Sequence, residues 1–535
     1  MTPRLLPEPV HCALWPAKTP RAIPALIAAM AAAVLALAAC SGPAASSAGS
    51  AARRSGNTLT VGYTLAPTTL NPGTAQQNDA LFEELAYEPL IVHNSNGSLA
   101  PGLALSWRYV GTGNKTFVLR LRPHVRFAHG GTLTAQDVVA DLQYVVKSGG
   151  QDAPFLAGDR FTATGPLTVT ITAPKPNPDL AVILTQDYVI GDIISENGLR
   201  SPKSLGTQTF GAGPYELDPA ATVTGERYTY VRNPDYYDPS AVHWKKIVIE
   251  VISTPQSMLN ALETGQIQVA SGDASTVSAA RRAGLTVSGT PALWVGAILA
   301  DREGSISKPL ADVRVRQALN YATNRALIAR GLFPSGVAAA SDQPAVPGGY
   351  AYDPGATAAY GYDPGKARQL LAAAGYAHGF TLRIVTAEYD SMNLVCEALS
   401  SEWKKIGVSL QVTDYANASQ YDSAAFSAKF PAFMTVDGTF VPMGVEAPAL
   451  FLPQALYNPF HTAAPALESL YARDASSSGA TETTADQRIE AYLVQQAWFV
   501  PVVTIDLSYY ATKAVTGTAI SPKAPLLDLY DVRPG

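Results

Sequence analysis

Ser401 and Lys404, in "SEWK", have the S-x-x-K spacing in which a lysine amine helps a serine hydroxyl lose its proton. That pair alone would suit acyl transfer, but the S-D-N and K-T-G segments that complete such a site are missing. The four residues also run from a helical stretch straight into "IGVSLQV". There is no G-x-S-x-G, no H-E-x-x-H and no Walker P-loop, and "GAGPYE" lacks the last glycine of a dinucleotide fingerprint. His124 and His129 flank "VRFA", a spacing that does not aim two imidazoles at one ion, while His93, His243, His378 and His461 stand singly. No catalytic residue, metal site or cofactor is therefore expected. Carboxylate pairs for glycoside chemistry are recognised by their separation in space, which spacing along the chain does not give.

One thiol has a clearer setting. Cys40 ends a run from Ile23 to Ala39 that is apolar apart from Pro24, after Arg4, Lys18 and Arg21 and with no acid nearer than Glu8. This is the charge order of an export signal, too short and alanine-rich for a membrane span of roughly 20 strongly apolar residues. Leu37-Ala38-Ala39-Cys40 resembles the lipobox of bacterial lipoproteins, which implies cleavage before Cys40 and acylation of its thiol. Two or more chains, at about 0.8 kcal/mol per buried CH₂, hold where a single one does not. The expectation is a signal peptide over 1–39 and a Ser/Ala/Gly-rich tether over 40–57. An ordinary cleaved signal or an uncleaved anchor are the alternatives.

The rest of the chain reads as an exported, soluble body. Of 535 residues 47% are hydrophobic and 15% charged, enough for a large core in more than one lobe. A net charge of −5 with no basic block argues against nucleic acid as a partner. Beyond Cys12 and Cys40 only Cys396 remains, so the body has no internal disulfide.

Strand and helix signals alternate along this body. "TLTVGYTL" (Thr58 to Leu65), "TFVLRLRP" (Thr116 to Pro123), "KKIVIEVI" (Lys245 to Ile252), "QIQVA", "GFTLRIVT", "VSLQVTDY" and "FVPVVTI" read as strands. A helix starts at Thr134, with Asp137 completing its cap, and buries Val138, Leu142 and Val145. "TPQSMLNALETG" forms another, closed by Gly265. "LADVRVRQALNYATNRALIARGLF" reads as helical from Asp312, and "DQRIEAYLVQQAW" as one more helix near the carboxyl terminus. In "YDPGKARQLLAAAGY" Asp363 caps, Pro364 takes the first position, Leu370 and Leu371 face inward and Gly375 stops the helix. A further helix passes through Cys396, Leu399 and Trp403.

Taken in order, "APTTLNP", "AYEPLIV", "GSLAPGLALSW", "TFVLRLRPHVRFAHGGTLTAQDVV", "GAGPYEL", "RNPDYY", "ALETGQIQVA", "PLADVRVRQALNYATNRALIA", "YDPGKARQLLAAAGY" and "LVCEALSSEWKKIGVSLQV" resemble the successive signatures of one family. It is the family 5 extracellular solute-binding proteins of ABC importers, the oligopeptide, dipeptide and nickel-binding group. The likeness is collinear from Leu59 to about Asp506. It implies an α/β, large two-lobe periplasmic-binding-protein type II fold (cluster C). Domain I would be discontinuous over 58–80, 195–291 and 506–535, domain II inserted over 81–194, and domain III, the opposing lobe, over 292–505. The lobes would close over a solute by hinge motion, and the closed form, a monomer, would dock on an ABC permease served by its ATPase subunits.

The resemblance also suggests a site. In peptide-binding members an aspartate in a W-x-x-D-Y-x-x-P segment pairs with the peptide's α-ammonium. "FPAFMTVDGTFVPMG" puts Asp437 in that place, with Met434 where tryptophan often stands and Gly438 where tyrosine is usual. An Asp-Gly surface turn is the other meaning of those residues. Trp294 falls at the crossing from domain I to domain III, as a cleft aromatic or a core one, and Gln76, Gln77, Ser271, Thr435 and Thr504 fall on cleft-lining loops or strand ends of relatives. Short peptides are the expected solute. A sugar, a metal chelate or a sensing role on the same fold, and more remotely an exported hydrolase, are the alternatives.

Overall fold

The computed structural model describes residues 57–389, 391–438 and 440–535. The expected signal peptide, Cys40 and all of the expected tether except Asn57 lie outside the described residues.

Local signals decide most elements. Thr134 caps the helix Ala135–Ser148 through a reciprocal pair, Asp137 N–H donating to its hydroxyl at 3.3 Å and its own N–H to Asp137 Oδ2 at 2.8 Å. Val138, Leu142 and Val145 on that helix are buried. Asp363 caps Pro364–Ala373, accepting from Lys366 N–H at 2.8 Å. Leu371 is buried there, while Leu370 lies half-exposed beside it. The stretch after Asp312 forms two helices, Val313–Tyr321 and Arg325–Leu332, because the Asn324 side chain accepts from Leu327 N–H at 3.1 Å and starts a new cap inside the apolar pattern. The last long helix is Ala480–Gln495, and two helices that lack a clean apolar stripe, Met443–Leu450 and Pro465–Asp474, precede it.

Eleven strands join in one mixed sheet among the described residues. From one edge its order is Val408–Tyr415, Phe380–Ala387, Ala432–Gly438, Thr286–Leu299, Phe499–Ala511, Val269–Ser271, Thr58–Tyr63, Lys246–Val251, Arg227–Arg232 and Tyr215–Leu217, with Ala338–Ala340 pairing beside Phe499–Ala511. The two long central strands, Thr286–Leu299 and Phe499–Ala511, run antiparallel and belong to both halves of the sheet. A separate antiparallel sheet of four strands, Ala104–Tyr109, Thr116–Leu121, Thr168–Thr172 and Arg160–Gly165, packs against the helix Ala135–Ser148.

Three large apolar cores accompany this layout. One gathers side chains between Trp294 and Val503 and another those between Leu90 and Ala212 with Val445. A third joins Leu59 to Tyr87 with residues of 194–269 and 509–532. The molecule is a mixed α/β body of two lobes, linked through long shared strands. No described helix is long and apolar enough to cross a membrane. Cys396 is a free, buried thiol.

Candidate functional site

Four of the expected site residues share one patch of the large sheet. Trp294 stands opposite Asp437 on one neighbouring strand and opposite Thr504 on the other, and Gly296, two residues on, faces Thr435. Opposed residues project to the same side, so these side chains lie together. Trp294 is fully buried and meets the Phe499 ring edge-to-face at 5.6 Å, yet its indole N–H finds no acceptor. Thr435 and Thr504 are buried too.

Asp437 lies at the end of a strand rather than on a surface turn, and is half-buried. Gly438 N–H donates to its Oδ1 at 3.1 Å. Removal from water pushes its carboxyl up to about 7, against that hydrogen bond. Burial likewise raises Glu446 well above the usual carboxylate range, with Asp437, Glu490 and Asp486 adding to the effect. The patch therefore gathers carboxyl groups that burial holds toward their neutral form. A cation that entered would bring the Asp437 carboxyl back down.

The other three candidates lie elsewhere. Ser271 pairs with Tyr509, which is an odd number of residues from Thr504 along the same strand, so Tyr509 and Ser271 face the opposite side of the sheet. The Ser271 hydroxyl has no hydrogen-bond partner. Tyr509 and half-buried Gln77 line a cavity together with Tyr63, Glu84, His93 and Asp187. Gln76 is exposed beside it, its N–H donating to buried Asp79 at 3.1 Å.

The cavity contains a pair that the sequence did not announce. His93 Nδ1 and Asp187 Oδ2 are 2.6 Å apart, and the Gln186 amide brackets the His93 backbone, accepting from its N–H at 3.0 Å and donating to its C=O at 2.8 Å. The Tyr350 hydroxyl comes to 3.5 Å from His93 Nε2. His93 and Asp187 are separated by 94 residues, and neither sits in a motif, so only the fold could join them.

From Tyr350 a seam continues between the regions of the 90–212 and 294–503 cores. Asn114 Nδ2 donates across it to Ser477 O at 2.6 Å and Ala475 O at 3.2 Å. Val441 and Val445 pack into the core of the 90–212 region. A Cβ on Gly444 would lie 1.9 Å from Asp179 Oδ2, so the buried Asp179 carboxylate rests directly on that backbone.

The model for bacterial extracellular solute-binding proteins, family 5 Middle, matches residues 98–455. The glutathione-binding protein GsiB of Shigella flexneri serotype 5b is 27% identical over 369 residues, covering 65% of this chain and 67% of that protein. Among solved structures, HbpA2 from Haemophilus parasuis superposes with a TM-score of 0.78 at 21% identity, covering 90% of this chain and 100% of the other. DppA from Helicobacter pylori in complex with the peptide STSA superposes with a TM-score of 0.72 at 18% identity, covering 89% and 98%.

Proposed function

This chain belongs to the family 5 bacterial extracellular solute-binding proteins of ABC importers, and from that premise we propose that it captures short peptides between its lobes and hands them to a permease while anchored through acylated Cys40. Members of the family bind and release; they are not enzymes.

The observation that carries the peptide reading is Asp437, a half-buried carboxylate pushed up to about 7 beside the Trp294 and Thr504 positions. It is a natural acceptor for an α-ammonium, because a charge-assisted pair gains most where water is scarce. The strand ends around it offer backbone groups to an extended peptide, which gives affinity with little sequence preference. The DppA likeness, a structure with a bound tetrapeptide, supports the same solute class. Trp294 and Thr435 would line this end of the cleft with Thr504, and Gln76, Gln77 and Ser271 the other. Domain I over 58–80, 195–291 and 506–535, domain II over 81–194 and domain III over 292–505 are the moving bodies of this proposal; the three apolar cores follow this division except at the first boundary, where Leu81 to Tyr87 pack with domain I. The two long strands would carry the hinge.

Asp437→Asn tests the site. It should weaken binding of a peptide with a free amino terminus by about 1.5 to 3 kcal/mol, the worth of a hydrogen bond to a charged group. Binding of the same peptide after N-acetylation should hardly change. Titration calorimetry of both peptides against both proteins decides it, and equal losses for the two would remove Asp437 from the role.

A further inference from the structure

The acid that crosses the seam is packed against other acids. Asp179 begins the helix Leu180–Ile183, its own N–H donating to Asn177 Oδ1 at 3.1 Å. On the far side it meets Glu482 within hydrogen-bonding contact, with Asp486 and Asp474 next. Asp179, Asp474 and Asp486 are almost wholly buried, and Asp179 Oδ2 and both Asp474 oxygens have no hydrogen-bond partner. Asp486 Oδ1 accepts from Met443 N–H at 3.3 Å, which ties the cluster to the helix Met443–Leu450 on which Asp179 rests. The remaining titratable groups that feel Asp179 are the phenols of Tyr109, Tyr188, Tyr350 and Tyr471. Tyr109 donates to Asn177 O at 2.6 Å and accepts from Leu180 N–H at 3.2 Å, so its hydroxyl is already engaged.

Gly444 leaves no space at this point for a side chain, and so little for a bound group. Two carboxylates brought into such contact cannot both stay ionised: one must hold a proton that the other accepts.

We propose that the Asp179–Glu482 contact is a proton-operated latch, in which closing the lobes takes up a proton shared by these two side chains and opening releases it. The proposal rests on the hinge closure of the preceding section, but not on the identity of the solute. Burial first and the neighbouring acids second raise Asp179 well above the usual carboxylate range, and Glu482 is raised by burial as well. With the lobes apart, Asp179 returns to water and to an ordinary carboxylate near about pH 4. A group whose affinity for protons is higher in the closed state stabilises closure fully at pH below its open-state value. That contribution is lost as pH rises through the closed-state value. Asp474, Glu482 and Asp486 lie on one lobe and repel each other in either state, so Asp179 is what changes on closing.

Hydrogen exchange on the full chain in detergent, without added solute, reads the latch directly. After correction for intrinsic rates, seam amides at Leu180–Ile183 and Met443–Glu446 should exchange about tenfold faster or more at about pH 8.5 than at about pH 5.5, up to tenfold per unit for one proton. Asp179→Asn keeps the size of the side chain and removes the charge, and should flatten this dependence to less than about threefold. Asp486→Asn, on the other lobe, should reduce it in part, and serves if the first variant does not fold. Gly444→Ala should speed seam exchange at every pH. Equal protection across the pH range in the natural chain, or an Asp179→Asn profile that follows it, would overturn the latch. A di- to pentapeptide library that binds at no pH would instead defeat the peptide assignment and leave the exchange result standing.

Discussion

At the scale of single residues, Asp437 and Cys40 make opposite demands on their surroundings. Asp437 must stay short of solvent to matter, because an ammonium–carboxylate pair in open water contributes little. Its carboxyl, pushed up to about 7, also fixes a sign. The ionised form is needed for an ammonium, so this part of peptide affinity is fully present above about pH 7 and fades as pH falls below it. A peptide with a blocked amino terminus should show no such loss on acidification in titrations from neutral to mildly acid pH. Cys40 is a matter of location. Cys40→Ser should release the protein into the medium or leave it unprocessed, as fractionation and the mass of the amino terminus would reveal. Unchanged membrane retention of a processed chain would contradict acylation at that thiol.

At the scale of elements, the two long strands carry the most weight. Gly296 sits where their register shifts, and a Cβ there would lie 2.2 Å from Val500 O, a backbone atom that cannot move aside cheaply. Gly296→Ala should therefore destabilise the body by about 1 to 3 kcal/mol, the usual cost of overpacking, in a denaturant titration. This scale also shows what could be read in advance. Helix starts at Thr134, Thr254, Asp312 and Asp363 were legible because each cap is a contact between neighbours in sequence. The strand "FVPVVTI" was legible too, but its continuation to Ala511 was not, since "DLSYYA" has no simple alternation and is held by pairing on both sides. Met443–Leu450 was missed for a related reason: Pro448 lies inside it and its apolar residues do not form one stripe. That helix carries Glu446 and Gly444, so the missed element is also the one that builds the seam. His93 with Asp187, and Asp179 with Glu482, were beyond reach because each joins residues far apart in sequence.

At the scale of the whole molecule, two proton-linked terms act in opposite directions on one binding event. Asp437 favours a free amino terminus as pH rises, and the Asp179–Glu482 latch favours closure as pH falls. Affinity for an unblocked peptide should pass through a maximum. Below about pH 8, where the peptide's own α-ammonium begins to lose its proton, Asp179→Asn should flatten the alkaline side and N-acetylation of the peptide should remove the acid limb, in affinity measured across pH. Such opposition would let one receptor hold its solute near the membrane surface and loosen it with a modest change of proton activity. Of the expected site residues, Trp294, Thr435, Asp437 and Thr504 share one face of the sheet and Ser271 lies on the other, while Gln76 and Gln77 stand off the sheet at a helical turn. A peptide long enough to touch both groups would therefore have to pass across the ends of the long strands.

The most direct test of the central claim is native mass spectrometry of the full chain released from detergent, followed by thermal shift against a mixed di- to pentapeptide library, because a ligand that binds only the folded form stabilises it by mass action. Co-purified peptide masses, or a raised melting temperature with the library, are the expected result. A clean unliganded mass with no response to any peptide would contradict the peptide receptor, and would move the solute of this binding protein to another chemical class.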